Sequence, residues 1–412
     1  MIGSLFAGIS GLNANALAMT VIGDNIANVN TTAFKSNRAS FANILSQSLG
    51  GAASNDIGRG VQFWGTTPIW SQGSIENTFN ATDMAINGKG FFMLQDAAGT
   101  DFFTRAGEFS FDREGYLVNP DGLFVQGYQV TAVNPDGSYT LGSIMDINVP
   151  GESTTPPVAT TELSVDINLD AGAAVNDTYS STITVYDSLG NAIPLTVTFT
   201  KTAANAWSAA VTAPATVVDP ADITITNNNL TFDGNGNLNN GADPVITLAN
   251  PLTGAANLVV DWGLFDGSGA TNGDLTQYAS TSTTTFQTQN GYASGNLRGV
   301  TVDEYGVVTG VYSNGQLTPL YQVALADFPS YAGLTKLGRN LYAESRASGQ
   351  AMPGVPQSGS LGSISPSSIE TSNVDLAQEF VKMITTQRAF QANSRVITTS
   401  DEILSELINI KR

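Results

Sequence analysis

The chain has 412 residues, enough to bury more than one core, and a formal charge of -19 from 35 acidic and 16 basic residues. Its basic residues form no run, which argues against phosphate-backbone binding and disfavours an anionic membrane surface as partner. Cysteine and histidine are both absent, so disulfides, thiolate and imidazole metal ligands, cysteine nucleophiles and the Ser-His-Asp triad are removed together.

Near the start, Leu5, Ile9, Leu12, Ala16, Met19, Gly23 and Ile26 follow one another at alternating steps of four and three. That spacing predicts a helix from about Ser4 to Asn28 with a coiled-coil seam. Asn13, Asn15, Asn25 and Asn28 are poor helix-interior residues, and Gly3, Gly8, Gly11 and Gly23 each weaken the helix by roughly 1 kcal/mol relative to Ala. A helix this marginal suits a segment that stays unfolded until it docks, with small faces that let several helices approach closely. The segment lacks a basic n-region and a continuous apolar h-region, so no Sec signal peptide is expected; nor does any apolar stretch approach the roughly 20 residues of a bilayer span.

The periodicity then changes to two. "FTRAGEFSFDREGYLVNPDGLFVQGYQV" (103–130), "TITVYDSLGNAIPLTVTF" (182–199) and "VTVDEYGVVTGVYSNGQLTPLYQVAL" (300–325) alternate apolar and polar residues about turn signals, with Asn314-Gly315 the strongest. Breaks at 150–161, 278–291 and 349–368 divide the chain, and residues 151–290 are richer in Ala, Asn and Thr than their flanks. The last helix carries Leu376, Phe380, Met383, Gln387, Phe390, Ser394, Ile397, Asp401, Leu404 and Ile408 at the same steps as the first. Ser372 or Asn373 is its expected cap, Asp375 favours its positive end, and about 36 residues are helical.

The resulting fold class is α+β and multidomain: a terminal α-helical coiled-coil domain from both chain ends plus two mainly-β domains, the second inserted in the first. The expected boundaries are 1–30 with 369–412 for the helical domain and 31–70 for a connecting region. The inner β-domain takes 71–150 with 291–350, the inserted outer one 151–290, and a flexible linker 351–368. The expected self-assembly seam comprises Leu5, Ile9, Leu12, Met19 and Ile26 with Leu376, Phe380, Met383, Phe390, Ile397, Leu404 and Ile408. A helical hairpin buried in an ordinary core is the competing reading of the same residues.

Chemical sites are few. Asp166, Asn168 and Asp170 open a calcium-loop spacing, but Ala171 stands where such a loop needs glycine and Asp177 where it needs glutamate; Val165, Ile167 and Leu169 read as an edge strand. "FDREGYL", "FDGNGNL" and "VDEYGVV" repeat Asp-x-x-Gly, which turn chemistry explains without a ligand. The glycines of "DGNGNLNNG" match no phosphate loop. Composition still permits a carboxylate-pair hydrolase, yet nothing concentrates acids and aromatics as a sugar cleft would. No catalytic residue, cofactor or metal is expected.

"GLNANALAMTVIGDNIANVNTTAFKS" at the start, "FTRAGEFSFDREGYLVNPDG", "VYDSLGN" and the closing "QEFVKMITTQRAFQANSRVITTSDEILSELINI" together resemble the bacterial flagellar rod and hook proteins, over essentially the whole chain. Length and the insert bearing "VYDSLGN" point to the hook members rather than the shorter distal-rod ones. The resemblance implies a non-enzymatic subunit of a homo-polymer of many copies, forming a tubular joint that passes motor torque to the filament. It implies as partners the rod, the hook-filament junction proteins, the hook cap and the type III export apparatus, with no nucleic acid and no membrane insertion. The implied location is extracellular, at the flagellar basal body, reached without a cleaved signal peptide. "FANIL", Phe41 to Leu45, resembles the export signal of early flagellar substrates. Two departures stand out: Ala33 where such proteins usually have glycine, which calls for a conformation open to alanine, and no cysteine for covalent crosslinking. A secreted β-rich adhesin or glycan-binding module is the alternative from another class.

Overall fold

The computed structural model describes residues 2–44, 47–48, 56–239, 241–266 and 270–410. Among them are two long helices, α1 (Ile2–Ala27) and α2 (Leu376–Ile410), and between these the chain is mostly β. Asn15 and Thr20 of α1 are turned back on the preceding turn: Asn15 Nδ2 donates to Gly11 O at 2.7 Å and Thr20 Oγ1 to Ala16 O at 3.2 Å. They are satisfied without leaving the helix.

The helices pack antiparallel. Ser4 Oγ lies 3.4 Å from Ser400 Oγ, and Asn25 Nδ2 donates to Glu379 Oε2 at 3.2 Å, the two pairs being equally far apart along each helix. Between them, a Cβ on Gly8 would stand 3.0 Å from Ile397 and one on Gly11 would stand 2.7 Å from Asn393. Glycine lets the helices close at those points. Asp375 caps α2, accepting from Ala377 N at 2.9 Å and Gln378 N at 3.2 Å. Asn373, one of the expected caps, instead accepts from Ser36 N at 2.8 Å and donates to Ile69 O at 2.8 Å. One further expectation is corrected: Gly3–Ala27, with a mean hydropathy of 1.5, is long and apolar enough to cross a bilayer by length and composition. Asn and Gly interrupt the run, which is why no continuous apolar stretch stands out in the sequence.

The chain divides into two compact units. The first contains Met1–Gly151, Gly299–Gly310 and Thr318–Arg412. Its core is aromatic: Phe91 meets Trp70 at 5.5 Å, Tyr331 at 5.3 Å and Phe328 at 5.9 Å, all edge to face. Residues 351–368, expected as a flexible linker, are instead built into this unit. Met352–Gly354 pairs with Leu325–Asp327, and Ser363–Pro366 with Met84–Asn87, while Ser368–Glu370 pairs with Ile75–Asn77. The Gly and Ser content that suggests a tether serves close approach, since a Cβ on Gly362 would stand 2.2 Å from Asn87 O.

The second unit contains Glu152–Arg298 and Val311–Leu317, so it runs past 290 and takes in a turn assigned from sequence to the inner domain. It is a two-sheet sandwich with one core that includes Phe199, Trp207 and Trp262. One sheet orders Thr178–Tyr186, Ala192–Ala203, Ala206–Thr212 and Asn229–Thr231. In the other, Glu162–Asn168 is central rather than an edge: it pairs with Leu258–Trp262 and Leu275–Thr276 in parallel and with Thr283–Gln289 antiparallel. A fully paired strand that faces solvent on one side alternates just as an edge strand does, so periodicity cannot separate them.

Candidate functional site

The surfaces that could act lie on the helix pair, at its junction with the strands of the first unit, and in one acidic cleft of the second unit. On α1 the buried line is Gly8, Gly11, Ala14, Ala18, Ile22 and Asn25. The expected seam is the neighbouring line, one residue on: Leu5, Leu12, Met19 and Ile26 are half-buried and Ile9 is exposed. On α2 the buried or half-buried line holds Met383, Phe390, Ile397 and Leu404, all expected, alternating with Glu379, Thr386, Asn393 and Ser400, which were not. Leu376 and Phe380 are exposed, and the side chain of Ile408 lies outside the described residues. The offset between the two lines has a physical cause, because the largest apolar residues fill a contact only where helices stand far enough apart to admit them. Here the smallest residues fill the intramolecular contact, and their own steps of three and four are legible. Phe41 is exposed on the strand Asn37–Asn43, 6.2 Å from Phe63; Leu45 lies outside the described residues.

Where the helix pair meets the strands of the first unit, three charges are buried together. Glu370 Oε1 accepts from Lys35 Nζ at 2.5 Å and from Gly73 N at 2.8 Å, and its Oε2 lies 3.4 Å from Arg105 Nη1. Burial holds both the Lys35 ammonium and the Arg105 guanidinium below their ordinary values, with Glu370 pulling each back up. Arg105 also lies over the Phe91 ring at 5.5 Å and donates to Gly88 O at 2.6 Å. Beside this cluster Asn25 pairs with the backbone of Asn37 in both directions at 2.8 Å, imitating a strand neighbour. Ala33 donates to Glu370 O at 2.7 Å from a fully buried position at φ 56. The expectation that alanine here would avoid the glycine conformation is therefore overturned: it sits in the left-handed region, at a cost of about 1–2 kcal/mol, held by its surroundings.

The acidic cleft encloses about 470 Å³ and is lined in part by Glu162, Asp243, Asp261 and Asp274. Two of these carboxylates have structural partners: Asp243 accepts from Leu264 N at 2.7 Å and Phe265 N at 2.9 Å, and Asp274 accepts from Ser164 Oγ at 3.0 Å. Burial, then Asp243 and Glu162, raise the Asp261 carboxyl above its usual range. In the candidate calcium loop, Asn168 accepts from Tyr278 N at 2.9 Å and Asp170 from Gly172 N at 2.7 Å. All three Asp-x-x-Gly repeats are turns, with Asp112, Asp233 and Asp303 accepting from downstream amides while Gly115, Gly236 and Gly306 take positive φ. Asp187 and Gly190 do the same in "VYDSLGN".

A β-rich chain whose two ends form one helix pair, with buried charges at its joints and carboxylates in its turns, has the make-up of a structural protein. Matches to known families agree with that class. Residues 5–35 match "Flagella basal body rod protein", 85–170 "Flagellar hook protein FlgE/F/G D1 domain", 148–292 "Flagellar basal body protein FlaE D2 domain" and 365–410 "Flagellar basal body rod FlgEFG protein C-terminal". The chain is 35% identical to the flagellar hook protein of Escherichia coli strain K12, covering 98% of each. It is 34% identical to that of Treponema pallidum, covering 100% of each, and 34% identical to that of Rhizobium meliloti, covering 100% of this chain and 99% of the relative. A crystal structure of a Helicobacter pylori flagellar hook protein shares the fold at a TM-score of 0.53 and 17% identity, over 72% of this chain and all of the other. The chain belongs to the flagellar hook protein family.

Proposed function

We propose that this hook-family chain assembles through its two terminal helices, acting as a coiled-coil core domain, into a flexible tube that transmits torque. The two β-domains, the second inserted in the first, would project from that core as looser polar bodies. The observation that carries this reading is the unspent apolar surface of the helix pair. With the small-residue line occupied, Phe6, Leu17, Phe380, Ile384 and Val396 remain exposed on faces that a single chain does not cover. Neighbouring copies are the occupants that satisfy every one of these residues at once, and a head-to-tail contact between copies propagates into an open polymer.

Its partners on this reading are further copies, the rod below, the junction proteins above, the cap during growth and the type III export apparatus. Its place is the extracellular hook, reached without a cleaved signal peptide. Purified protein, concentrated and viewed by negative stain, should form tubes of constant diameter. A preparation that stays monomeric by sedimentation under the same conditions refutes self-assembly by the chain alone.

A further inference from the structure

The second unit holds thirteen acidic residues and two basic ones, Lys201 and Arg298, a net of -11 within the chain's -19. Two such units brought together repel unless the surfaces that approach are free of that charge. One sheet face meets the condition. In Thr178–Tyr186, Ala192–Ala203 and Ala206–Thr212 the single charged residue is Lys201, which is buried. The outward positions present Ser180, Thr182, Thr184, Thr196, Thr198 and Thr212, whereas the opposite sheet carries Glu162, Asp166 and Asp261 on its strands.

Four of these hydroxyls are paired across strands, Ser180 with Thr198 at 3.1 Å and Thr182 with Thr196 at 3.0 Å. In each pair one hydroxyl donates and the other keeps a proton that can rotate, so a covering surface needs an acceptor nearby but none at one fixed place. They also repeat, about 6.6 Å along a strand and about 4.8 Å between strands, so a displaced neighbour meets nearly the same pattern one step later. Nine residues by three strands make a face of about 30 by 14 Å, near 400 Å² per copy. That is below what a stable pairing of free proteins uses, so the contact forms only where something else holds the copies together.

We propose that this hydroxyl face is the surface over which one copy of the chain slides against a neighbouring copy. The inference rests on the self-assembly reading and adds to it the surface and the character of the contact. No ion pair fixes its register, and each step between registers breaks only weak, replaceable hydrogen bonds.

The chain has no cysteine, so Thr182→Cys introduces a single thiol on the face. Its maleimide labelling should fall at least tenfold on passing from monomer to polymer, measured relative to Leu189→Cys at an exposed hairpin tip. A second variant, Thr182→Glu with Thr198→Glu, should leave the monomer's melting unchanged and alter the curvature and bending of its polymers, in a manner reversed by salt. Polymers of the Thr182→Cys variant whose thiol labels as fast as in the monomer, or Glu variants that bend as the unsubstituted polymer does, overturn the sliding face and leave assembly standing. Failure of the unsubstituted chain to polymerise overturns both.

Discussion

Four glycines of α1 test the helix register, because two face α2 and two face nothing. Around Gly3 and Gly23 no atom lies within 4 Å of an added Cβ, whereas Gly11 would place one 2.7 Å from Asn393 Nδ2 and Gly8 one 3.0 Å from Ile397. Replacing Gly3 or Gly23 by Ala should stabilise the helix by about 1 kcal/mol, the propensity difference alone. Gly11→Leu gains a similar propensity term but drives a branched side chain into a filled contact, which costs about 1–3 kcal/mol and parts the helices around Asn393. The two kinds of site therefore respond with opposite sign within one helix. The assay is thermal melting followed at 222 nm at fixed protein concentration, with the β signal of the two units as reference. Should Gly11→Leu and Gly23→Ala shift the helix melt in the same direction, the antiparallel register set by Ser4 with Ser400 and Asn25 with Glu379 is wrong.

Glu370→Ala leaves Lys35 and Arg105 buried without their counter-charge and should destabilise the first unit by about 3–5 kcal/mol in denaturant unfolding, whereas Arg339→Ala, breaking the exposed pair with Asp121, should cost under about 1 kcal/mol. Burial pushes the Tyr342 hydroxyl up to about 12, above its unfolded value near 10, so its contribution is full below pH 10 and is lost as pH rises toward 12. Over that window about 3 kcal/mol disappears, and Tyr342→Phe should flatten the corresponding slope of stability against pH. Limited proteolysis of dilute monomer should stop near Thr371 rather than near 350, since 352–354, 363–366 and 368–370 are each paired with strands of the first unit; cleavage within 363–370 would contradict that pairing. Phe390→Asp should abolish polymers without changing the β melt, and a lost β melt would place α2 in a globular core instead.

Much of this fold is legible in the sequence because its signals are local. Asp112, Asp187, Asp233 and Asp303 each fix a turn within a few residues, so alternation about Asp-x-x-Gly locates the hairpins without tertiary information. Steps of three and four reveal the helix pair and draw the eye to Leu5, Ile9 and Leu12, whereas the contact within one chain is formed by Gly8 and Gly11. Hydrophobicity reports what wants burial, and close packing reports what fits, and in α1 these are adjacent lines. Nothing local marks Glu370 or Lys35: an acid before one helix and a lysine after the other look like solvated flanks until folding brings them together. The strands in 352–370 are hidden for a related reason, because Pro, Gly and Ser are shared by tethers and by backbones that pass close to one another.

The buried ion pair joins residues 335 apart in sequence, within ten residues of the end of α1 and of the start of α2. Mechanically it is a shunt. If the helices carry load as proposed, it would cross from one to the other through Lys35, Glu370 and the amide of Ala33 without traversing the several hundred residues between. Those residues lie off the load path, so they can vary in length, yield or shear while the joint at their base stays closed.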